Sequence, residues 1–154
     1  AMTLIASLAF LSHWLHYFLG GNTAHIVAAG AAVIFFAAQV AFLLQRVFKG
    51  GGINVYRIYG AIAAYLLLGL LWGELYVFIY LFRPDAFHFA PETLAGQPPS
   101  AEMFYFSFTT LTTLGLGDIT PVHPIARSMV TLEALIGQLY PAVLLARLVT
   151  LYRS

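Results

Sequence analysis

Apolar residues run through this chain in four long blocks, at residues 3–19, 24–48, 55–82 and 124–152, each closed by polar or glycine-rich punctuation. A helix crosses the hydrocarbon core of a bilayer with about 20 predominantly apolar residues, so each block predicts a spanning helix, the first (about 17 residues) only just long enough. Gly20-Gly21-Asn22-Thr23 ends the first block with turn chemistry. Gly50-Gly51-Gly52 ends the second, which is rich in small residues, including Ala28-Ala29-Gly30-Ala31-Ala32. Small residues let helices approach closely in lipid, where no hydrophobic drive separates helix from solvent. The third block holds Gly69-Leu70-Leu71-Trp72-Gly73, a GxxxG spacing that fits the same close packing.

Residues 83–123 break this pattern. Residues 87–100, with Pro91, Pro98 and Pro99, read as an irregular extramembrane loop. Ser100 is placed as an N-cap, with Glu102 in the first helical turn where the helix dipole favours an acid. The helix so predicted, 101–112, has only about 12 residues, too few to span a core of about 30 Å. Thr113-Leu114-Gly115-Leu116-Gly117-Asp118 follows it. A short helix and a glycine-rich run between two spanning helices predict a re-entrant loop, since irregular backbone at membrane depth is tolerated only where protein or water surrounds it.

Composition narrows the function classes. Of 154 residues, 61% are hydrophobic and 8% charged, and mean hydropathy is +0.86. Soluble domains carry about 25% charged residues, so the lipid bilayer is the expected solvent. A net charge of +1 supports no nucleic-acid partner, and the absence of cysteine excludes disulfides. Residues 2–19 lack the preceding Lys or Arg and the following cleavage site of a signal peptide, and Ala1 ahead of Met2 reads as a cloning remnant. Arg46, Lys49, Arg57, Arg147 and Arg153 gather at one side of the predicted spans, against Arg83 and Arg127 at the other. The positive-inside rule then predicts a multi-pass protein of the plasma membrane with both termini cytoplasmic and the re-entrant loop outside. Asp85, Glu92, Glu102 and Asp118 would make that outer mouth acidic and attractive to cations.

The run 113–117 carries the chemistry. A dehydrated cation needs a cage of inward-facing oxygens. Backbone carbonyls supply one if alternate residues take unusual φ/ψ, which Gly115 and Gly117 permit. Thr113 adds a hydroxyl at the inner end. One chain contributes one such wall, so a ring of carbonyls requires several copies around an axis. The alternative is a plain turn between helices.

Residues 103–152 resemble the pore region of potassium channels, from Phe104-Tyr105-Phe106-Ser107-Phe108-Thr109-Thr110-Leu111-Thr112-Thr113 through the glycines and Asp118 to Pro121, Arg127 and Gly137. The resemblance implies an all-α membrane protein: four transmembrane helices per subunit, a re-entrant pore helix and a selectivity filter, assembled as a homotetramer. Residues 1–50 would hold two N-terminal spans, and residues 53–154 a pore domain. That domain comprises an outer helix (55–82), extracellular loop (83–100), pore helix (101–112), filter (113–118) and inner helix (124–152). Thr113, Leu114, Gly115, Leu116 and Gly117 would be the filter, with potassium held at Thr113, Leu114, Gly115 and Leu116. Tyr105, Asp118 and Glu133 would support it. Tyr105 stands where the family often has a tryptophan bonded to the aspartate. Leu116 stands where the family most often has tyrosine, although its two-pore branch has Gly-Leu-Gly filters. The implied function is passive, selective potassium conduction, with no enzymatic activity and no cofactor beyond potassium ions in the filter. A non-selective cation channel and, further off, a secondary transporter are the alternatives; a transporter predicts an inverted repeat, and none is visible.

Gly137 occupies the family's gating-hinge position, and Pro141 follows one turn later; both a moving bend and a static kink fit. Glu74 and Glu133 lie inside spans, where acids are costly and point to function or to a bonded scaffold. His13 and His16 share a helix face but lack a third ligand, so interfacial contact is the simpler reading. His123, beside the outer mouth, is a candidate pH sensor, with a plain surface role the simpler reading. The second span does not repeat Arg or Lys every third residue, no ligand-binding domain is visible in these 154 residues, and no regulatory partner or gating stimulus is identified.

Overall fold

The computed structural model describes residues 22–48, 55–91, 93 and 99–152. The first predicted span, with His13 and His16, lies outside the described residues. Three helices within it are long and apolar enough to cross a membrane: His25–Phe48, Val55–Phe82 and Pro124–Arg147.

Helix α1 (Asn22–Phe48) and helix α2 (Val55–Phe82) form an antiparallel pair. Glycines mark both ends of their contact: a Cβ at Gly30 would sit 3.3 Å from the Phe78 ring, and one at Gly60 would sit 3.3 Å from Val47. The last turn of α1 carries Arg46, whose guanidinium lies 4.4 Å over the Phe42 ring, a cation placed where the helix dipole favours it.

After α2 the chain takes one 3-10 turn (Pro84–Ala86) into strand β1 (Phe87–Phe89). Helix α3 (Pro99–Leu111), strand β2 (Ile119–Pro121) and helix α4 (Pro124–Tyr152) complete the order. The strands pair antiparallel, with Phe87 opposite Pro121 and Phe89 opposite Ile119. This corrects the expectation that residues 87–100 form only irregular loop. A three-residue strand is too short for an alternation to register, and its partner lies beyond an intervening helix. Helix α3 begins at Pro99, so Ser100 lies inside it and is not its cap. Proline is favoured at a first helical position because its missing N–H has no partner there anyway.

Most of the core lies where α2, α3, the short sheet and the start of α4 meet. It comprises Trp72, Tyr76, Ala86, Phe87, Met103, Phe106, Ile119 and Ala126. Tyr76, Phe87 and Phe106 close a triangle of rings with centroids 5.3, 5.6 and 5.8 Å apart, each contact contributing about 0.5–1.5 kcal/mol beyond its area. The GxxxG pair of α2 receives rings rather than another helix backbone. A Cβ at Gly69 would lie 2.5 Å from the Phe108 ring, and one at Gly73 would collide with Phe104. Phe104 and Phe108 are one turn apart on α3, so two rings seat in two glycine notches and set its height against α2.

Candidate functional site: the glycine run at the end of helix α3

Helix α3 stops at Leu111 and the chain turns sharply. Thr113 has φ +59°, Gly115 φ +55° and Gly117 φ +80°. Positive φ at Thr113, Gly115 and Gly117 alternates with residues that do not have it, Leu114 and Leu116. Such alternation sets successive N–H groups toward one side, as in an anion-binding nest, and successive carbonyls toward the other. The N–H side is occupied by α3: Thr113 N donates to Thr110 O (2.9 Å), and Leu114 N and Gly115 N both donate to Thr109 O (2.8 and 3.1 Å). Glycine takes this geometry freely. Thr113 does not, since a β-branched residue at positive φ is a genuine outlier. Its strain is therefore held by its surroundings.

Those surroundings come from both long helices. Gln138 Nε2 on α4 donates to Thr113 Oγ1 at 3.1 Å. Tyr65 on α2 donates its hydroxyl to the carbonyl of Leu111 at 3.1 Å, satisfying one of the orphan carbonyls at the end of α3. Tyr65 also stacks on Tyr140 of α4, ring centroids 5.7 Å apart, and Tyr140 donates to Ala61 O at 2.8 Å. Sequence reasoning missed Tyr65 and Gln138. Gln138 had a usable signal, being the only amide in α4 and the neighbour of Gly137.

Gly137 is buried, and its Cα faces the end of α3; a Cβ there would collide with the Leu111 carbonyl oxygen and lie 2.8 Å from its carbon. The residue read as a hinge thus has a steric requirement as well: α4 passes α3 backbone to backbone at this point. Pro141, exposed, removes the N–H that would bond the Gly137 carbonyl one turn back.

Behind α3 lies a buried polar cluster. Glu133 is fully buried, with Oε2 accepting from the Tyr76 hydroxyl at 2.5 Å and Oε1 lying 2.6 Å from Ser107 Oγ. Ser107 Oγ also lies 2.8 Å from the Gly69 carbonyl. One acid therefore joins α2, α3 and α4. Tyr76 and Ser107 were not expected from sequence; they lie 57 and 26 residues from Glu133, and no local pattern connects them.

At the outer end, Tyr105 is exposed on α3, and Asp118, chiefly as a hydrogen-bond acceptor, raises the phenol above its ordinary pKa. Asp118 Oδ1 accepts from Ile119 N at 3.1 Å, and its carbonyl accepts from Ala90 N at 2.8 Å, tying the run to β1. His123 Nδ1 accepts from Ile125 N at 3.2 Å, so the imidazole caps the start of α4. Glu74 is half-buried on α2.

The run itself is uncovered. Leu114 and Leu116 are 62% and 59% exposed. An open groove of about 260 Å³ beside it is lined by Phe106, Thr110, Thr113, Gly115, Gly117 and Val130, among others.

Residues 64–154, well over half of the chain, match the sequence family described as ion channel. The chain belongs to the ion channel family. Over 42 residues it is also 48% identical to the inward rectifier potassium channel Kirbac3.1 of Paramagnetospirillum magnetotacticum, a match covering 27% of this chain and 14% of that protein. No solved structure matches it. The family membership expected from residues 103–152 therefore holds, and the matched span takes in most of α2, all of α3, the glycine run and α4.

Proposed function

We propose that copies of this chain assemble as a homotetramer around an axis normal to the plasma membrane and conduct potassium ions passively through a filter built from Thr113, Leu114, Gly115, Leu116 and Gly117. The observation that carries this reading is the positive φ at Thr113, Gly115 and Gly117, with the N–H groups of Thr113, Leu114 and Gly115 bonded to α3. Four such walls give rings of carbonyl oxygens that replace the hydration shell of an entering cation. Thr113 supplies the innermost ring, Tyr105 and Asp118 brace the outer end, and Glu133 holds the frame behind. The uncovered Leu114 and Leu116 and the open groove support assembly, because a neighbouring copy would cover them. The C-terminal end of α3 turns its partly negative pole toward the same axis.

The similarity to a named potassium channel supports potassium as the cargo. Leu116 contributes a carbonyl but no side-chain hydroxyl, leaving the outer bracing to Tyr105 and Asp118. Both termini are assigned to the cytoplasm. Arg46 at the end of α1, Arg57 at the start of α2 and Arg147 near the end of α4 lie toward one membrane face, where Arg147 donates to Phe48 O at 2.8 Å.

Flux from liposomes loaded with potassium or with sodium tests the reading. Potassium efflux well above sodium efflux supports it. Equal fluxes convert it to a non-selective cation channel, and no flux from verified tetramers rejects conduction.

A further inference from the structure

The cluster behind α3 has more close oxygen pairs than an ionised acid can satisfy. Ser107 Oγ faces two oxygens within hydrogen-bond distance, the Gly69 carbonyl at 2.8 Å and Glu133 Oε1 at 2.6 Å. A serine hydroxyl has one proton to donate, while carbonyl and carboxylate oxygens only accept. With Glu133 ionised, Ser107 would serve one of them and hold the other at bonding distance with no proton between. Tyr76 cannot relieve this, because its single proton already lies toward Oε2.

One proton on Glu133 Oε1 resolves the conflict. The acid then donates to Ser107, Ser107 donates to the Gly69 carbonyl, and Tyr76 donates to Oε2. Each contact holds one proton, and each hydroxyl both gives and receives or gives only. Glu133, Ser107 and Tyr76 are all at 0% exposure, so bulk water does not substitute for a missing proton. The groups facing Glu133 are Ser107 from α3 and Tyr76 from α2, with Tyr65 of α2 further off; no cation acts on it among the described residues. A buried carboxylate without a cationic partner is costly in any low-dielectric setting.

We propose that Glu133 is held as the neutral acid, and that its proton is a structural member of the clamp joining α2, α3 and α4. Glu133 is then a positioning residue: it fixes α3, and through α3 the run 113–117, without touching an ion. The proposal does not depend on which ion the run conducts.

Infrared spectroscopy of the tetramer in lipid tests it directly. Wild type should show a protonated-carboxyl stretch at neutral pH that shifts in heavy water and is missing in Glu133→Gln. The amide reproduces the same layout, donating N–H to Ser107 and accepting from Tyr76. E133Q should therefore assemble and conduct within about a factor of two of wild type, while Glu133→Ala, which strands Ser107 and Tyr76, should lower the folded fraction about tenfold. Carboxylate bands lost in E133Q, with no protonated-carboxyl band in wild type, would overturn the proposal. So would an E133Q protein as damaged as E133A. The infrared arm reads the acid whether or not potassium is the cargo, so failure of the conduction reading is separable from failure of this one.

Discussion

The two sides of helix α3 obey opposite rules. Behind it, Tyr76, Ser107 and Glu133 are fully buried and bonded, and three aromatic rings pack around them; among the described residues Trp72 Nε1 is the buried polar side-chain atom left without a partner. At its end, the run 113–117 is exposed, its apolar side chains are uncovered, and every second residue has positive φ. The first region is held by its own packing and hydrogen bonds. The second is held in shape by what it is attached to. Strained residues cost of order 1–3 kcal/mol each and persist only where neighbours over-determine them. Here the neighbours are the α3 carbonyls on the N–H side, Gln138 on Thr113, and Tyr65 on Leu111. Strain sits in the run proposed as the filter, and ordinary packing sits where that backbone must be steadied.

Substitutions that strike one region and spare the other test this contrast. The largest effect belongs to Gly115→Ala. Nothing lies within 4 Å of a Cβ there, so the damage comes from φ +55° alone, roughly 1–2 kcal/mol for an L-residue in left-handed backbone. Selective potassium flux should be abolished while tetramers still form on native gels; wild-type selectivity would remove the filter assignment. Gly137→Ala comes next. It presses a methyl onto the Leu111 backbone, which yields little, so single-channel records should show altered opening together with altered ion preference. A change in opening alone would mean that bending, and not close approach, is the reason for glycine. Gly69→Ala meets the Phe108 side chain, which can shift. It should cost about 1–3 kcal/mol in thermal unfolding and leave ion preference close to wild type. Smallest is Tyr105→Phe, at an exposed site. Losing the bond to Asp118 should speed inactivation or weaken selectivity without lowering expression. Because the bond needs the phenol proton and itself raises that group's pKa, wild type should keep it through neutral pH and lose it only in strong alkali.

Much of this contrast was legible in the chain, and the rest was hidden for physical reasons. Spanning helices announce themselves by length and apolarity, and α2 and α4 lie where the apolar blocks placed them. Gly115 and Gly117 declared unusual backbone because glycine is the residue that tolerates it. Thr113 gave no such notice, since threonine argues against positive φ and takes it only under outside constraint. Glu133 was visible as an acid inside a span, but its partners come from two other helices and carry no local spacing. Gly69 and Gly73 signalled close packing without saying that phenyl rings, not a helix backbone, would fill the notches. The short sheet escaped because each strand has three residues. Gly137 was read from family position as a hinge, and only the fold brings it against Leu111.

In the proposed filter each chain supplies one wall of carbonyls, and this has a genetic consequence. Under the proposed assembly no copy owns a pathway, so a faulty wall is inherited by every ring that incorporates it. An allele altered at Gly115 but sound behind α3 would still fold, still assemble with normal copies, and silence them. An allele broken at Glu133 would fail before joining and leave its partners alone. Dominance and recessiveness would therefore map onto the front and back of a single short helix.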